Sequence, residues 1–414
     1  MTNQPSRAAL PVLLAITFLS AVGMSVVFPV LPFVVQGLVP NTMSVALWVG
    51  VLESVYAGCA LFAAPVLGSL SDRLGRRPIL IVSLIGSALG WLLFGIGGSL
   101  AVLLIARIVD GVTAGDMSVA FAYMADISEP KDRAKRFGLA GAVSGVGFLV
   151  GPAIGGLLAS VNVAAPVFLA AGASALTAVI ALVALPESLA AENRTAAEPF
   201  KLASLNPFGS MASQLRRPTL RPLLIGFALL SVTLTVLASN FPVFALDVVG
   251  WEPIQIGLLL TGVGLVDIIV QGGLLGLMIK FAGERGVVLG GMIGVAVSSA
   301  AIVAVALVIP NPIVLIVAGL TFATAEGATT ATLQGLLSNA VEADEQGALA
   351  GGVSAIGSAI QLVGPIGAGL LFAQVGPAAP YVVSVIAALL AVVLVRSRLG
   401  LRPSAAVPGS LATA

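Results

Sequence analysis

The stretch Gly68–Pro78, GSLSDRLGRRP, decides the architecture: it sets Asp72, Arg73, Arg76 and Arg77 between two long apolar runs in a chain where only 9% of residues are charged. Three arginines in a turn too short to be a domain mark a loop held on the cytoplasmic side of a membrane, because short loops rich in Lys and Arg resist translocation. Its two glycines let the chain reverse while the backbone packs closely.

The whole composition fits that reading. Hydrophobic residues make up 58% of the 414 and mean hydropathy is +1.12, far above a soluble domain. A net charge of +1 argues against nucleic acid as a partner, since phosphate binding needs clustered positive charge on an accessible face. The first apolar run, about residues 8–36, is too long for a signal-peptide core and is expected to be a retained helix. Cys59 is the single cysteine and there is no histidine, which rules out an intramolecular disulfide and metal sites of the His/Cys kind. Cys59 reads as a small packed apolar residue. No metal or cofactor is expected. The loops are too short for a catalytic domain, so the chain is not expected to be an enzyme.

Runs long enough to cross the hydrocarbon core begin near residues 8, 44, 79, 100, 138, 165, 222, 254, 287, 313, 348 and 379. The expected fold is therefore all-α and integral to the membrane, with twelve transmembrane helices. Placing both termini inside puts 18 of the 19 Lys and Arg residues on one face, the exception being Arg107 within helix four. The polar segment 186–221 splits the chain into an N-terminal six-helix bundle, 1–185, and a C-terminal one, 222–396, followed by a cytoplasmic tail, 397–414. Internal repetition supports two pseudo-symmetric halves. Phe28-Pro29-Val30 recurs as Phe241-Pro242-Val243 and Gly151-Pro152 as Gly364-Pro365, both 213 residues on, while Gly68–Arg77 recurs weakly as Gly276–Arg285. The second copy of the basic turn has Lys280 at the place of Asp72 and Glu284 at that of Arg76, so the two halves are not expected to make the same cytoplasmic contacts.

Several residues inside these runs need a reason to be there. Arg107 and Asp110 are three apart on helix four and face the same way, which predicts an ion pair. Asp116 is nine residues from Arg107, half a turn round a continuous helix, and is expected to stand apart from that pair. Glu53, Asp267 and Glu326 are the other acids well inside spans. With Asp110 and Asp116 they make five carboxylates against one arginine, a charge that lipid does not tolerate unless some are protonated or paired with a cation. Helix one carries Pro29 and Pro32, which predict a bend at its outer end. Helix five has Gly147, Gly151 and Gly155 four apart, a bare ridge for close helix approach, with Pro152 and Gly156 beside it. Side chains facing the pocket from helices 1, 4, 7 and 10 are mostly apolar, so weak selectivity is expected.

As written, G-x-L-x-D-R-x-G-R-R resembles the loop between helices two and three of major facilitator superfamily transporters. Residues 147–156, G-x-x-x-G-P-x-x-G-G, resemble the antiporter motif of its twelve-helix drug:proton exporters, which include tetracycline and multidrug exporters. Arg107-x-x-Asp110-Gly111 is similar to the family's R-x-x-x-G motif on helix four, whose arginine is implied in proton coupling. The resemblance implies two homologous halves with a site between them. It further implies that Asp126, at the inner end of helix four, pairs with an arginine of the 68–78 loop, here Arg76. Asp72 would face the start of helix eleven near Gly347, where the positive helix end favours a carboxylate.

One departure bears on mechanism. Ser20 stands where those exporters commonly place an intramembrane aspartate, so proton coupling is expected to have moved to Glu53, Arg107, Asp110 and Asp116. The resemblance then implies a monomeric exporter in the cell membrane that exchanges small amphiphilic or cationic compounds for protons by alternating access. Its contacts would be substrate and membrane lipid, with Asp267 and Glu326 as further substrate or second-half acids. Export or symport of a metabolite or lipid is the alternative.

Overall fold

The computed structural model describes residues 9–190, 192, 194, 207–308 and 310–396, and every regular element among them is helical. The expectations for residues 1–8, for 195–206 of the linker and for the tail 397–414 lie outside the described residues, and with them the sides assigned to Arg7, Lys201, Arg398 and Arg402.

In chain order the helices are α1 (Ala9–Ser25), α2 (Leu31–Gln36), α3 (Thr42–Leu74), α4 (Arg76–Ile96), α5 (Leu100–Val112), α6 (Asp116–Asp126), α7 (Arg133–Ala159) and α8 (Ala165–Ala184). After the linker helix α9 (Pro207–Leu215) come α10 (Arg221–Val249), α11 (Pro253–Ile269), α12 (Leu275–Leu307), α13 (Pro312–Ser338), α14 (Gln346–Gln374) and α15 (Ala379–Arg396). Among the described residues nine helical units are long and apolar enough to cross a membrane, counting Pro253–Leu307 as one; Ala9–Ser25 is apolar but shorter.

Local chemistry sets the ends and breaks. Asn41 and Ser99 accept backbone N–H groups at the starts of α3 and α5, so those first turns keep their donors satisfied. Gly75 has φ +108°, a region that favours glycine, and there the chain leaves α3 and enters α4 directly. A single π turn, Val270–Leu274, joins α11 to α12, and α12 itself breaks at Gly283, φ +69°. The prolines of helix one do more than bend it: α1 stops at Ser25 and α2 restarts at Leu31.

Helix four is likewise not continuous. Thr113 Oγ1 donates back to the Val109 and Asp110 carbonyls while Gly115 N–H donates to the Thr113 carbonyl, so α5 ends and α6 begins at Asp116. The expected half-turn separation of Asp116 from Arg107 therefore does not apply, because it assumes unbroken helical geometry. Asp116 occupies the first turn of a new helix instead.

Two helix pairs join the halves, α3 on α14 and α7 on α11. Their backbones meet at the end far from the basic turn. A Cβ on Gly369 of α14 would lie 2.5 Å from the Ala46 carbonyl oxygen, and one on Gly156 of α7 would lie 2.6 Å from that of Pro253. At that end one apolar core runs through both halves, with Val49, Leu52, Phe94, Phe244, Ile256 and Phe372 among its members. Toward the basic end the core divides: Leu13, Leu80 and Tyr123 belong to one cluster, Leu224, Met292 and Leu349 to another. The molecule is thus closed at one end and parted at the basic end. The ridge Gly147, Gly151 and Gly155 faces α1, where a Cβ would meet Phe18, Ser25 or Val26, and Ser25 Oγ donates to the Gly147 carbonyl at 3.2 Å.

Candidate coupling site and gate

The first-half acids gather around a single cation. Arg107 and Asp110 are 7% and 4% exposed, with Nη1 3.6 Å from Oδ2. The expected ion pair is present but long. Asp110 Oδ1 accepts from Ser87 Oγ at 2.7 Å, and Glu53 from α3 lies within electrostatic reach of Arg107. Around the guanidinium stand three aromatic rings: its carbon is 4.2 Å from the Trp91 ring centre, 4.5 Å from Phe94 and 5.8 Å from Tyr56. Cations over such faces are attracted by the ring quadrupole, most strongly where water is excluded.

Asp116 lies beside the hydroxyl of Ser20 on α1 and the backbone N–H groups of Asp116 and Met117 at the start of α6. The break at 113–115 is what makes this possible, since it exposes helix-start N–H groups in mid-span and turns their partial positive charge on the carboxyl. Ser20, which stands in place of an expected intramembrane aspartate, is a neighbour of the acid at the start of α6.

In the second half Asp267 and Glu326 face each other across α11 and α13. Gln271 Nε2 in the π turn donates to Asp267 Oδ1, and Thr330 Oγ1 donates to Glu326 Oε1, both at 2.7 Å.

At the basic end Arg76 is the hub. It pairs with Asp72 at 2.5 Å and with Asp126 at 3.1 Å, as the resemblance implied for Asp126, and it donates to Ser71 Oγ at 2.7 Å. Arg77 donates to the Leu182 carbonyl. The contact expected between Asp72 and the start of α14 is not made. Asp72 pairs within its own loop, and a Cβ on Gly347 would meet nothing within 4 Å. The physical reason is the parting of the two halves at this end. Glu187 instead seats on a helix start, that of α4: its carboxylate accepts from the backbone N–H of Arg76 at 2.8 Å and of Arg77 at 3.2 Å. Ser188 Oγ donates to Asp126, and the Tyr123 hydroxyl donates to the Pro186 carbonyl. The linker is therefore bound into the gate at its beginning. At its other end Arg217 forms a two-pronged pair with Glu345 just before α14, at 2.7 and 2.9 Å. That bonding holds the Glu345 carboxyl below its ordinary value and raises Arg217.

A cavity of 470 Å³ opens among α10, α13 and α14, with Gln334, Ser354, Ser358 and Gln361 beside Phe227 and Val353. Helix eleven, α14, supplies much of the wall, its polar groups uncharged, and α10 and α13 supply the rest.

Sequence reasoning missed Ser20 as a neighbour of Asp116, Glu187 as a helix cap, and the aromatic rings around Arg107. A signal for the rings existed: Ser87, Trp91 and Phe94 are spaced four and three apart, one face of a helix.

A sequence profile of the Major Facilitator Superfamily matches residues 13–280 and 223–412. The chain belongs to that superfamily. Relatives of this superfamily member include the tetracycline resistance protein, class C, of Escherichia coli, 34% identical over 365 residues covering 87% of this chain and 89% of the relative. Multidrug resistance protein 2 of Bacillus subtilis (strain 168) is 29% identical, with 66% of this chain and 67% of the relative covered. Among solved structures, a bacterial homolog of the human lysosomal transporter Spinster superposes with a TM-score of 0.73 at 18% identity, covering 98% of this chain and all of that one, which shows the shared fold. As a superfamily member the protein is a multi-pass membrane transporter of a small molecule.

Proposed function

We propose that this transporter exports small amphiphilic or cationic drugs in exchange for protons. The observation that carries the reading is the set of acids on α3, α5 and α6, buried at Asp110 and half-buried at Glu53 and Asp116, near one buried arginine, Arg107, midway along the first half. Such groups cannot all be ionised in lipid, so the proton is the coupling ion that fits them and no cofactor is needed. The two curated relatives, by name resistance proteins for tetracycline and for multiple drugs, support export and the drug class.

In this reading the chain makes twelve passes, as two six-helix halves of residues 1–185 and 222–396 with the linker 186–221 between them. The arginine-rich end faces the cytoplasm. Both termini lie on that side of the cell membrane, and the protein works as a monomer. Parted halves at the cytoplasmic end correspond to an inward-facing state, in which the 470 Å³ cavity beside α14 admits substrate. Its uncharged amides and hydroxyls suit an oxygen- or nitrogen-rich amphiphile with an apolar face. Rocking of one half against the other would close the cytoplasmic end through Asp72 and Asp126 and open the far end. Protons returning from outside pass by Glu53, Arg107 and Asp110 and leave by way of Asp116.

Asp116→Asn tests the reading in vesicles holding the purified protein. Gradient-driven efflux of a tetracycline or a lipophilic cation is expected to be lost while binding of the same compound is kept. Full coupled efflux by the variant refutes the assignment of Asp116, and movement of substrate in the same direction as protons refutes antiport.

A further inference from the structure

We propose that Trp91, Phe94 and Tyr56 are positioning residues that anchor the Arg107 side chain in one place whether Asp110 is protonated or not. Its functional meaning rests on the proton-coupling reading above. The geometry stands by itself.

A buried guanidinium usually satisfies its N–H groups on carboxylates, often with two parallel bonds. Arg107 does otherwise. Its Nη1 is 3.6 Å from Asp110, beyond hydrogen-bond distance, and its buried Nε has no partner among the described residues. What does surround it is aromatic: two rings of α4 at 4.2 and 4.5 Å and one of α3 at 5.8 Å. Asp110 meanwhile gives one oxygen to Ser87, so it is only loosely engaged with the cation.

This division of labour has a consequence for proton uptake. Were Arg107 locked onto Asp110 by two charge-assisted bonds, protonating the acid would break both and strand the cation in lipid. Aromatic faces attract a cation without gaining or losing a proton themselves. The arginine therefore keeps a partner through both protonation states. The charged groups facing this spot are Glu53 from α3, Asp110 on α5 itself and Asp116 at the start of α6, while α4 contributes only Ser87 and the rings. The cage holds one positive charge at a fixed point beside Glu53 and Asp110, with Asp116 next to Asp110.

Double-mutant cycles on the full chain in detergent, read as melting temperatures, test the cage without depending on transport. Parent, Trp91→Leu, Arg107→Met and the double variant are compared at pH 8 and pH 5.5, beside a cycle of Arg107→Met with Asp110→Asn. Trp91 and Arg107 are expected to be non-additive by the same amount at both pH values, whereas the Arg107–Asp110 coupling shrinks in acid. Additive effects of Trp91→Leu and Arg107→Met overturn the proposal, as does a coupling that vanishes at pH 5.5. If Trp91→Leu does not fold, Trp91→Phe replaces it: the phenyl face should keep a reduced coupling, and none at all overturns the proposal.

In vesicles Trp91→Leu should move the pH profile of gradient-driven efflux toward acid by about one unit, with KM unchanged and Trp91→Phe close to the parent. A superimposable Trp91→Leu profile is evidence against the cage. Absence of proton-driven flux in the parent defeats the transport reading and leaves the cage to be judged by the cycles.

Discussion

The closed end of the molecule is held by backbone in direct contact with backbone, so one methyl group should open it. On α7 a Cβ at Gly156 would sit 2.6 Å from the Pro253 oxygen and 2.8 Å from Ile254 Cα of α11. Ordinary contact begins at 3.4 Å, and neither partner is a side chain that can turn away. Gly156→Ala must therefore part α7 from α11 by about 0.8 Å or accept overpacking, which costs roughly 1–3 kcal/mol. If the seam yields as a rigid unit, that energy moves the balance between closed and open by about 5- to 150-fold.

The reporter belongs on the other helix pair. Ala46 of α3 is 1% exposed and lies against Gly369 of α14, so Ala46→Cys in a Cys59→Ser background should be unreactive in the parent. Adding Gly156→Ala should raise its labelling by an impermeant maleimide at least fivefold. Gly172→Ala, whose Cβ would meet nothing within 4 Å, should not. A folded Gly156→Ala protein with Ala46→Cys still protected would refute rigid coupling of the two seams.

Two further perturbations act at the basic end. Glu345→Gln removes the pair with Arg217; because bonding from Arg217 sets the Glu345 carboxyl below its ordinary 4.5, its stabilisation is present above that pH and lost as pH falls through the lowered value. The melting-temperature gap between parent and variant should thus be steady from pH 6 to 8 and narrow below 4.5; a gap unchanged down to pH 3 would contradict the pairing. Asp72→Asn should disfavour the state with the basic end closed more than Lys280→Ala does, since the second copy of the turn has a lysine where the first has the Asp72 carboxylate that a helix start favours; equal effects of the two on cysteine accessibility from the far face would remove the asymmetry.

Much of the architecture was legible because lipid enforces simple rules: every long apolar run contains a helix, and Arg76 with Asp126 meets as its motif implied. What could not be read were the interruptions. Periodicity assigns 100–126 to one helix, but Thr113 bonds back to its own helix and packs on Gly86, a tertiary contact without sequence signature. That one break decides the surroundings of Asp116. Glu187 was hidden for a related reason: within a polar linker its charge looks like solvation, and only the direct turn at Gly75 brings the bare N–H groups of α4 to it. Asp72 shows the converse. Its motif implied a contact with the start of α14, and in this state, parted at the basic end, it pairs with Arg76 of its own loop instead.

That state has an energetic bias. A single apolar core joins both halves at the far end, while the basic end has two cores that do not merge. Opening the far end would expose Phe244, Ile256 and Phe372 or their neighbours, and the basic end offers mainly charged loops to bury in exchange. Burial at about 25 cal/mol per Å² sets the scale of that trade. A ligand shifts such a balance only by binding the other state more tightly, and reversing a 99:1 preference takes roughly 5.5 kcal/mol of differential affinity. Substrate bound as proposed at the cavity beside α14 would supply part of that difference only if closure brings first-half groups onto it. The residues that tune transport should then include side chains on α3 and α5 that do not touch substrate until the basic end has closed.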